Sequence, residues 1–121
     1  MKENIILEKS FKFAVKTVEI YKELAYKKKE YTLSKQLLRA GTSIGANINE
    51  ATAAQSKKDF ISKMAIASKE CRETLYWIRL LNETGYLDDK KYKQDCEELI
   101  RILTSIVKSS QESLEKGKSN S

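Results

Sequence analysis

Apolar residues recur along this chain at alternating steps of four and three, which is the spacing that lines one face of an α-helix. Leu7, Phe11, Ala14, Val18, Tyr21 and Ala25 predict a first helix over residues 5–30, with Ile6, Phe13, Ile20 and Leu24 widening its inward face. Leu33, Leu37, Ala40, Ile44, Ile48 and Ala51 predict a second helix after Thr32, whose hydroxyl suits an N-cap. Phe60, Met64, Ala67, Cys71, Leu75, Ile78 and Leu81 predict a third over about residues 57–84. Ser56 is placed to cap it, with Asp59 three residues on. Gly85 follows as a helix-ending residue suited to the left-handed conformation. Asp88 is the expected cap of a fourth helix, in which Tyr92, Cys96, Leu99, Leu103, Ile106, Ser110 and Leu114 keep the rhythm to about residue 115.

Short connections between four such helices predict an all-α fold, an antiparallel up-down-up-down four-helix bundle over residues 1–115 with a polar tail at 116–121. The absence of proline and the presence of only four glycines remove the punctuation that hairpin-rich folds need. No apolar run is long enough to cross a bilayer and no signal-peptide pattern opens the chain, so no membrane partner and a cytoplasmic location are expected.

The second helix departs from this regular picture. Gly41 and Gly45 lie inside it, although each interior glycine costs a helix about 1 kcal/mol relative to alanine. Four residues apart, they bare the backbone on one face and mark a position for close helix packing or an oligomer interface. Arg39, Ser43, Asn47 and Glu50 run beside them as a polar line. With the second and third helices antiparallel about Ser56, Glu50 falls level with Lys63 and Arg39 with Glu73, so two ion pairs would fix the hairpin register. Asn47, flanked by Ile44, Ile48 and Ala51, reads as a buried amide that selects one packing arrangement.

Charge and side-chain chemistry narrow the function classes. The net charge is +6 and uneven. Residues 1–31 carry eight Lys/Arg against five Asp/Glu, whereas residues 86–121 carry seven of each. A basic body attracts phosphate backbones. The nucleic-acid candidates are Lys27, Lys28, Lys29, Lys35, Lys57 and Lys58, all near helix ends. The chain has no histidine, which removes the commonest general base and the Arg-to-His motif of helical toxin nucleases. Cys71 and Cys96 are too few for a zinc site and read as buried thiols. Glu50, Glu70 and Glu73 lack the Glu-x-x-His companion of di-metal bundles. No catalytic, cofactor or metal residues are assigned, and a non-enzymatic protein is expected.

The ordered strings Arg39-Ala40-Gly41-Thr42-Ser43-Ile44-Gly45-Ala46-Asn47-Ile48-Asn49-Glu50-Ala51, Ser56-Lys57-Lys58-Asp59-Phe60 and Ile66 through Leu81 resemble one known family. It is that of the four-helix-bundle proteins encoded in intervening sequences of 23S ribosomal RNA, to which the accessory variability determinant of diversity-generating retroelements is related. The resemblance spans roughly residues 5–110 and follows the variant with Gly45-Ala46-Asn47 rather than the proline found at the Gly45 position in many members. It implies a small bacterial bundle assembled as a ring, typically a homopentamer, with a basic surface. It also implies RNA or DNA, and a reverse transcriptase or other protein, as partners. The function expected is an oligomeric nucleic-acid-binding scaffold. The alternative is a scaffold for protein partners alone, with its positive charge serving solubility.

Overall fold

The computed structural model describes the backbone of residues 2–119 and the side chains of residues 5–117. Its helices are α1 (Lys2–Lys22), α2 (Leu33–Thr52), α3 (Lys57–Glu83) and α4 (Lys90–Ser119), and the described residues form no strand. Each helix packs on the next in sequence and α1 closes against α4, giving the antiparallel bundle that the short connections predict. At about 1.5 Å per residue, α3 is roughly 40 Å long. The α1–α2 and α3–α4 connections lie at one end of this rod and the α2–α3 connection at the other. The helix of residues 90–119 takes in the first four residues of the expected tail, and Asn120 and Ser121 lie outside the described residues.

Local signals explain most helix ends. The Ser56 hydroxyl accepts from the Asp59 amide at 3.0 Å, as its position predicts. Gly85 ends α3 with φ of +82°, and the amides of Tyr86 and Leu87 return to the Leu81 carbonyl at 3.0 and 3.2 Å. Two expected caps are corrected. Thr32 makes no capping bond, because its own backbone is already helical. Glu30 does the work instead, accepting from the amides of Thr32, Leu33 and Ser34 at 3.3, 3.0 and 2.7 Å. At α4 the cap is Asp89 and not Asp88, with the Tyr92 amide 3.0 Å from its carboxylate. The first helix also finishes earlier than residue 30. It widens into a π-helical turn at Glu23–Lys27 and stops at Lys29, whose φ is +58°.

The core stripes of α2, α3 and α4 follow most of the predicted positions, from Leu37 to Ala51, Met64 to Leu81 and Tyr92 to Ile106. The exception on α3 is Thr74, buried where Leu75 is expected, its hydroxyl donating to the Glu70 carbonyl at 2.8 Å, while Leu75 is only partly covered. On α1 the stripe is displaced. Ile6, Ser10, Phe13, Thr17, Ile20 and Leu24 face the core, while Phe11 is 68% and Val18 36% exposed. A reading by hydrophobicity places serine and threonine outside. Here each is neutralised by its own helix, with the Ser10 hydroxyl donating to the Leu7 carbonyl at 3.1 Å and that of Thr17 to the Phe13 carbonyl at 2.8 Å. The Tyr92 hydroxyl lies 2.7 Å from the Thr17 oxygen. Since Thr17 has spent its one proton on Phe13, Tyr92 is the donor. Its ring stacks on Phe13 with centroids 4.6 Å apart. Burial pushes the Tyr92 phenol well above its ordinary pKa, so it stays neutral in this role.

Gly41 and Gly45 allow α1 and α2 to approach. A methyl group at Gly41 would lie 2.7 Å from Thr17 Cγ2 and 2.8 Å from Oγ1. Thr17 cannot yield, because it is buried, β-branched and bonded to both Phe13 and Tyr92. At Gly45 the nearest contact is the Ser10 carbonyl oxygen at 3.4 Å, which a methyl group tolerates. Gly41→Ala therefore lowers stability by about 1–3 kcal/mol through overpacking. Gly45→Ala is neutral or stabilising by up to about 1 kcal/mol, from helix propensity. Urea unfolding of the two variants checks the contrast, and equal destabilisation would refute it.

Candidate interaction surfaces

The polar line of α2 is a register device on the α2–α3 hairpin. Arg39 pairs with Glu70 at 3.1 Å and also with Glu73, whose carboxylate receives the Trp77 indole N–H at 3.0 Å. Glu50 pairs with Lys63 at 3.8 Å. Both expected pairs are thus present, and Glu70 joins the first. Apart from Glu70 these side chains are substantially exposed, so the Arg39–Glu73 and Glu50–Lys63 pairs contribute no more than about 1 kcal/mol each. Asn47 differs from its expected role. It is only half-buried, and its amide donates to the Ser43 carbonyl of its own helix at 2.8 Å. Among the described residues no group of three His, Cys, Asp or Glu side chains is placed to hold a metal ion.

Cys71 and Cys96 meet in the core between α3 and α4, with their sulfurs 3.8 Å apart. Each thiol also points at the other residue's carbonyl oxygen, at 3.5 and 3.4 Å. The hydrogen bond shared with Cys71, together with burial, pushes the Cys96 thiol far up, so neither pattern nor chemistry suggests a nucleophile.

The six lysines proposed from sequence as phosphate contacts are not brought together. Lys27, Lys28, Lys29 and Lys35 stand at the end of the rod that holds the α1–α2 connection, and Lys57 and Lys58 at the opposite end. Several have structural work there. The Lys28 ammonium donates to the Tyr86 carbonyl and ties the end of the first helix to the α3–α4 connection. Lys29 adopts the left-handed conformation that ends that helix, and Lys57 donates to the Ser113 hydroxyl. Acidic side chains crowd the first end, where a groove of about 220 Å³ includes Glu23, Asp88 and Asp89 beside Lys16 and Lys28.

Two further surfaces emerge from the fold. The first is apolar. Phe11 and Val18, predicted in the core stripe of α1, instead stand on an outer ridge with Val15, flanked by the partly buried Leu7 and Ala14, of which Leu7 still packs against the core. Beside it runs a groove of about 510 Å³ completed by Thr42, Gly45, Ala46 and Asn49 of α2. The sequence contains the signal for this ridge as an excess of apolar width on the first helix. The second surface lies between α3 and α4 and sets polar groups beside the apolar Ala65 and Val107. It contains Ser68, Arg72, Thr104, Lys108 and Gln111, none of which sequence pattern alone distinguishes from a solvated face.

Four antiparallel helices with these surfaces define a small helical-bundle protein whose features are suited to docking rather than enclosure. The chain belongs to the family of 23S rRNA-intervening sequence proteins, which matches residues 2–108. It is similar to a protein of unknown function from the S23 ribosomal protein family of Bacteroides thetaiotaomicron, whose crystal structure superposes with a TM-score of 0.86. The two are 50% identical over 89% of this chain and 99% of that one. No curated protein matches the chain. None of the helices among the described residues is long and apolar enough to cross a membrane.

Glu30 offers a direct test of how the Lys27–Lys29 end is built. Burial is the largest single influence and raises its carboxyl, but the amides of Leu33, Ser34 and Thr32 and the Ser34 hydroxyl together outweigh it and hold the pKa below the ordinary 4.5. A lowered folded value means that the stabilisation is present above about pH 4.5 and lost as pH falls through the folded value. Glu30→Ala is expected to cost about 1 kcal/mol at pH 7, with the gap to the parent narrowing on acidification below pH 4.5. Denaturant titrations of both proteins across that range read it out. A gap that stays constant down to full protonation would remove the charge from the explanation.

Proposed function

We propose that the protein is a non-enzymatic, cytoplasmic scaffold that self-associates through the outer ridge of α1 and binds RNA or DNA through its positive charge. The observation that carries the scaffold reading is the ridge itself. Phe11 at 68% exposed, Val15 at 44% and Val18 at 36% cluster along α1 with Leu7 and Ala14, and a monomer gains nothing from leaving them wet. A closed ring such as the homopentamer needs two different patches that meet head to tail. Ile66, 40% exposed, and Tyr76, 57% exposed, give α3 a second apolar surface on another face of the bundle.

Nucleic-acid binding is supported by the net charge of +6 and by membership of a family named for a ribosomal RNA intervening sequence. Binding of this kind is electrostatic, reads little sequence and weakens steeply with salt. A reverse transcriptase or another protein engaged by the same scaffold completes the reading. The scaffold for protein partners alone is favoured by one specific observation: Lys9, Lys12 and Lys16 on α1 are already paired with Glu98, Glu8 and Asp89.

Two measurements test the reading. Sedimentation of the parent protein is expected to show an oligomer, and Phe11→Asp to shift it towards monomer without loss of helical signal. A parent that sediments as a monomer at micromolar concentration contradicts the assembly. Filter binding at low salt is expected to retain labelled RNA or DNA. A folded oligomer that retains neither contradicts nucleic-acid binding and leaves the protein-only scaffold standing.

A further inference from the structure

The grooves on this molecule differ in one chemical respect. The groove between α1 and α4 holds Asp95 and Glu98 among its lysines, and the one above α4 holds Asp88, Asp89 and Glu97. The α1–α2 groove holds Glu8. The groove between α3 and α4 has no carboxylate in its lining. Its polar groups are Ser68, Arg72, Thr104, Lys108 and Gln111.

The cations along this face are also unspent. Arg72, Arg79, Arg101 and Lys108 form none of the ion pairs found among the described residues. Glu70 and Glu73, the acidic residues of α3 nearest Arg72 in sequence, turn to the α2 side and hold Arg39. Arg72 donates to the Thr104 hydroxyl at 3.2 Å, and that hydroxyl gives its own proton to the Ile100 carbonyl at 2.7 Å. The guanidinium is thereby anchored by a neutral acceptor that leaves its charge unneutralised and its remaining N–H groups free to donate. Arg79 lies seven residues from Arg72 and Lys108 seven from Arg101, so each pair repeats at about 10.5 Å along one side of its helix. Glu97 stands one turn before Arg101 and Glu112 one turn after Lys108, which bounds the positive stretch at both ends.

Resting on the reading of the protein as a nucleic-acid binder, we propose that the α3–α4 face carries the phosphodiester strand and that the helix-end lysines do not. Arg72, Arg101 and Lys108 contact successive phosphates, and Arg79 extends the track towards the far end of α3. Guanidinium groups suit this ligand because their planar N–H fork matches two phosphate oxygens at once. Ser68 and Gln111 add neutral donors. No aromatic side chain lines the groove, so the strand is held there by its backbone, while Tyr76, 57% exposed on α3 between Arg72 and Arg79, stands beyond that lining.

The test is a fluorescence-anisotropy titration of a labelled single-stranded RNA, and of the DNA of the same sequence, across a salt series. Three proteins are compared: the parent, the combination Arg72→Ala, Arg101→Ala and Lys108→Ala, and the combination Lys27→Ala, Lys29→Ala and Lys58→Ala. Three lost phosphate contacts reduce the slope of log K against log salt by about 2 for a single strand. The α3–α4 variant is expected to show that reduction with a fall in affinity of about tenfold or more at low salt. RNA and DNA should be affected alike, and the helix-end variant should keep the parent slope. A parent that binds, with an α3–α4 variant of unchanged slope, overturns the placement while sparing nucleic-acid binding. A loss confined to RNA overturns the backbone-only contact. A parent that binds neither strand overturns the underlying reading and this placement with it. Circular dichroism and sedimentation establish that the variants fold and assemble as the parent does. If the triple variant does not, Lys108→Gln alone, at an exposed side chain, is read by the same slope with an expected change of about 0.7.

Discussion

The bundle depends on how closely α1 can lie against α2. Thr17 occupies the space that a side chain at Gly41 would need, and Ser10 abuts Gly45 one turn further along α2. The approach is possible only because the facing residues are small on both helices. It fixes α1 about its own axis, since turning the helix to bury Phe11 would drive a large ring into the glycine surface. Thr17 then passes the constraint to α4 through Tyr92, whose hydroxyl completes the polar contact while its ring covers Phe13. One bare glycine, one threonine and one tyrosine thus align three of the four helices. A buried hydroxyl pair of this kind contributes only about 1 kcal/mol net, but an unpaired member would cost more, which penalises any other rotation.

That constraint also explains what could be read in the sequence and what could not. Helices α2, α3 and α4 carry apolar residues on one clear stripe, so their inward faces, the hairpin register at Arg39 and Glu50, and the Ser56 and Gly85 signals all follow from spacing. On α1 two apolar stripes compete, Leu7-Phe11-Ala14-Val18 and Ile6-Phe13-Ile20-Leu24. Hydrophobicity prefers the first because Ser10 and Thr17 interrupt the second. The preference fails because a serine or threonine that bonds its own helix costs little to bury, and its small size is what the glycines require. Helix caps were less legible for a related reason. Glu30 caps α2 by reaching forward from outside the helix, a geometry that depends on the turn at Lys29 and not on the residue next to the first helical position. The groove between α3 and α4 was not legible at all, because its significance lies in which acids are absent from it.

The distribution of charge is more informative than its sum. On α1, Lys9 and Lys16 are matched across to α4 by Glu98 and Asp89, and Lys12 is matched along the helix by Glu8. These pairs help close the weaker α1–α4 side of the bundle. Two of the helix-end lysines serve connections, Lys28 through the Tyr86 carbonyl and Lys57 through the Ser113 hydroxyl. Much of the positive charge that a composition count would assign to binding is therefore already engaged in holding helices together. Cations outside the ion pairs remain on the middle of α3 and α4, at Arg72, Arg79, Arg101 and Lys108, as well as at the helix ends, although residues 86–121 are neutral overall.

The apolar ridge and the uncommitted cations occupy opposite sides of the four-helix square, one on α1–α2 and the other on α3–α4. In the proposed assembly the ridge itself covers none of the α3–α4 groove residues, and a partner seated on Ile66 and Tyr76 of α3 would border them. This arrangement matters for a contact as plain as a guanidinium on a phosphate, which is weak when made a few at a time and screened by physiological salt. Repeating the groove around an oligomer turns each later contact into an intramolecular one and raises the affinity without any new chemistry. A single short track can then suffice for each subunit. The ridge that hydrophobic periodicity mistakes for core would be the element that makes such a track effective.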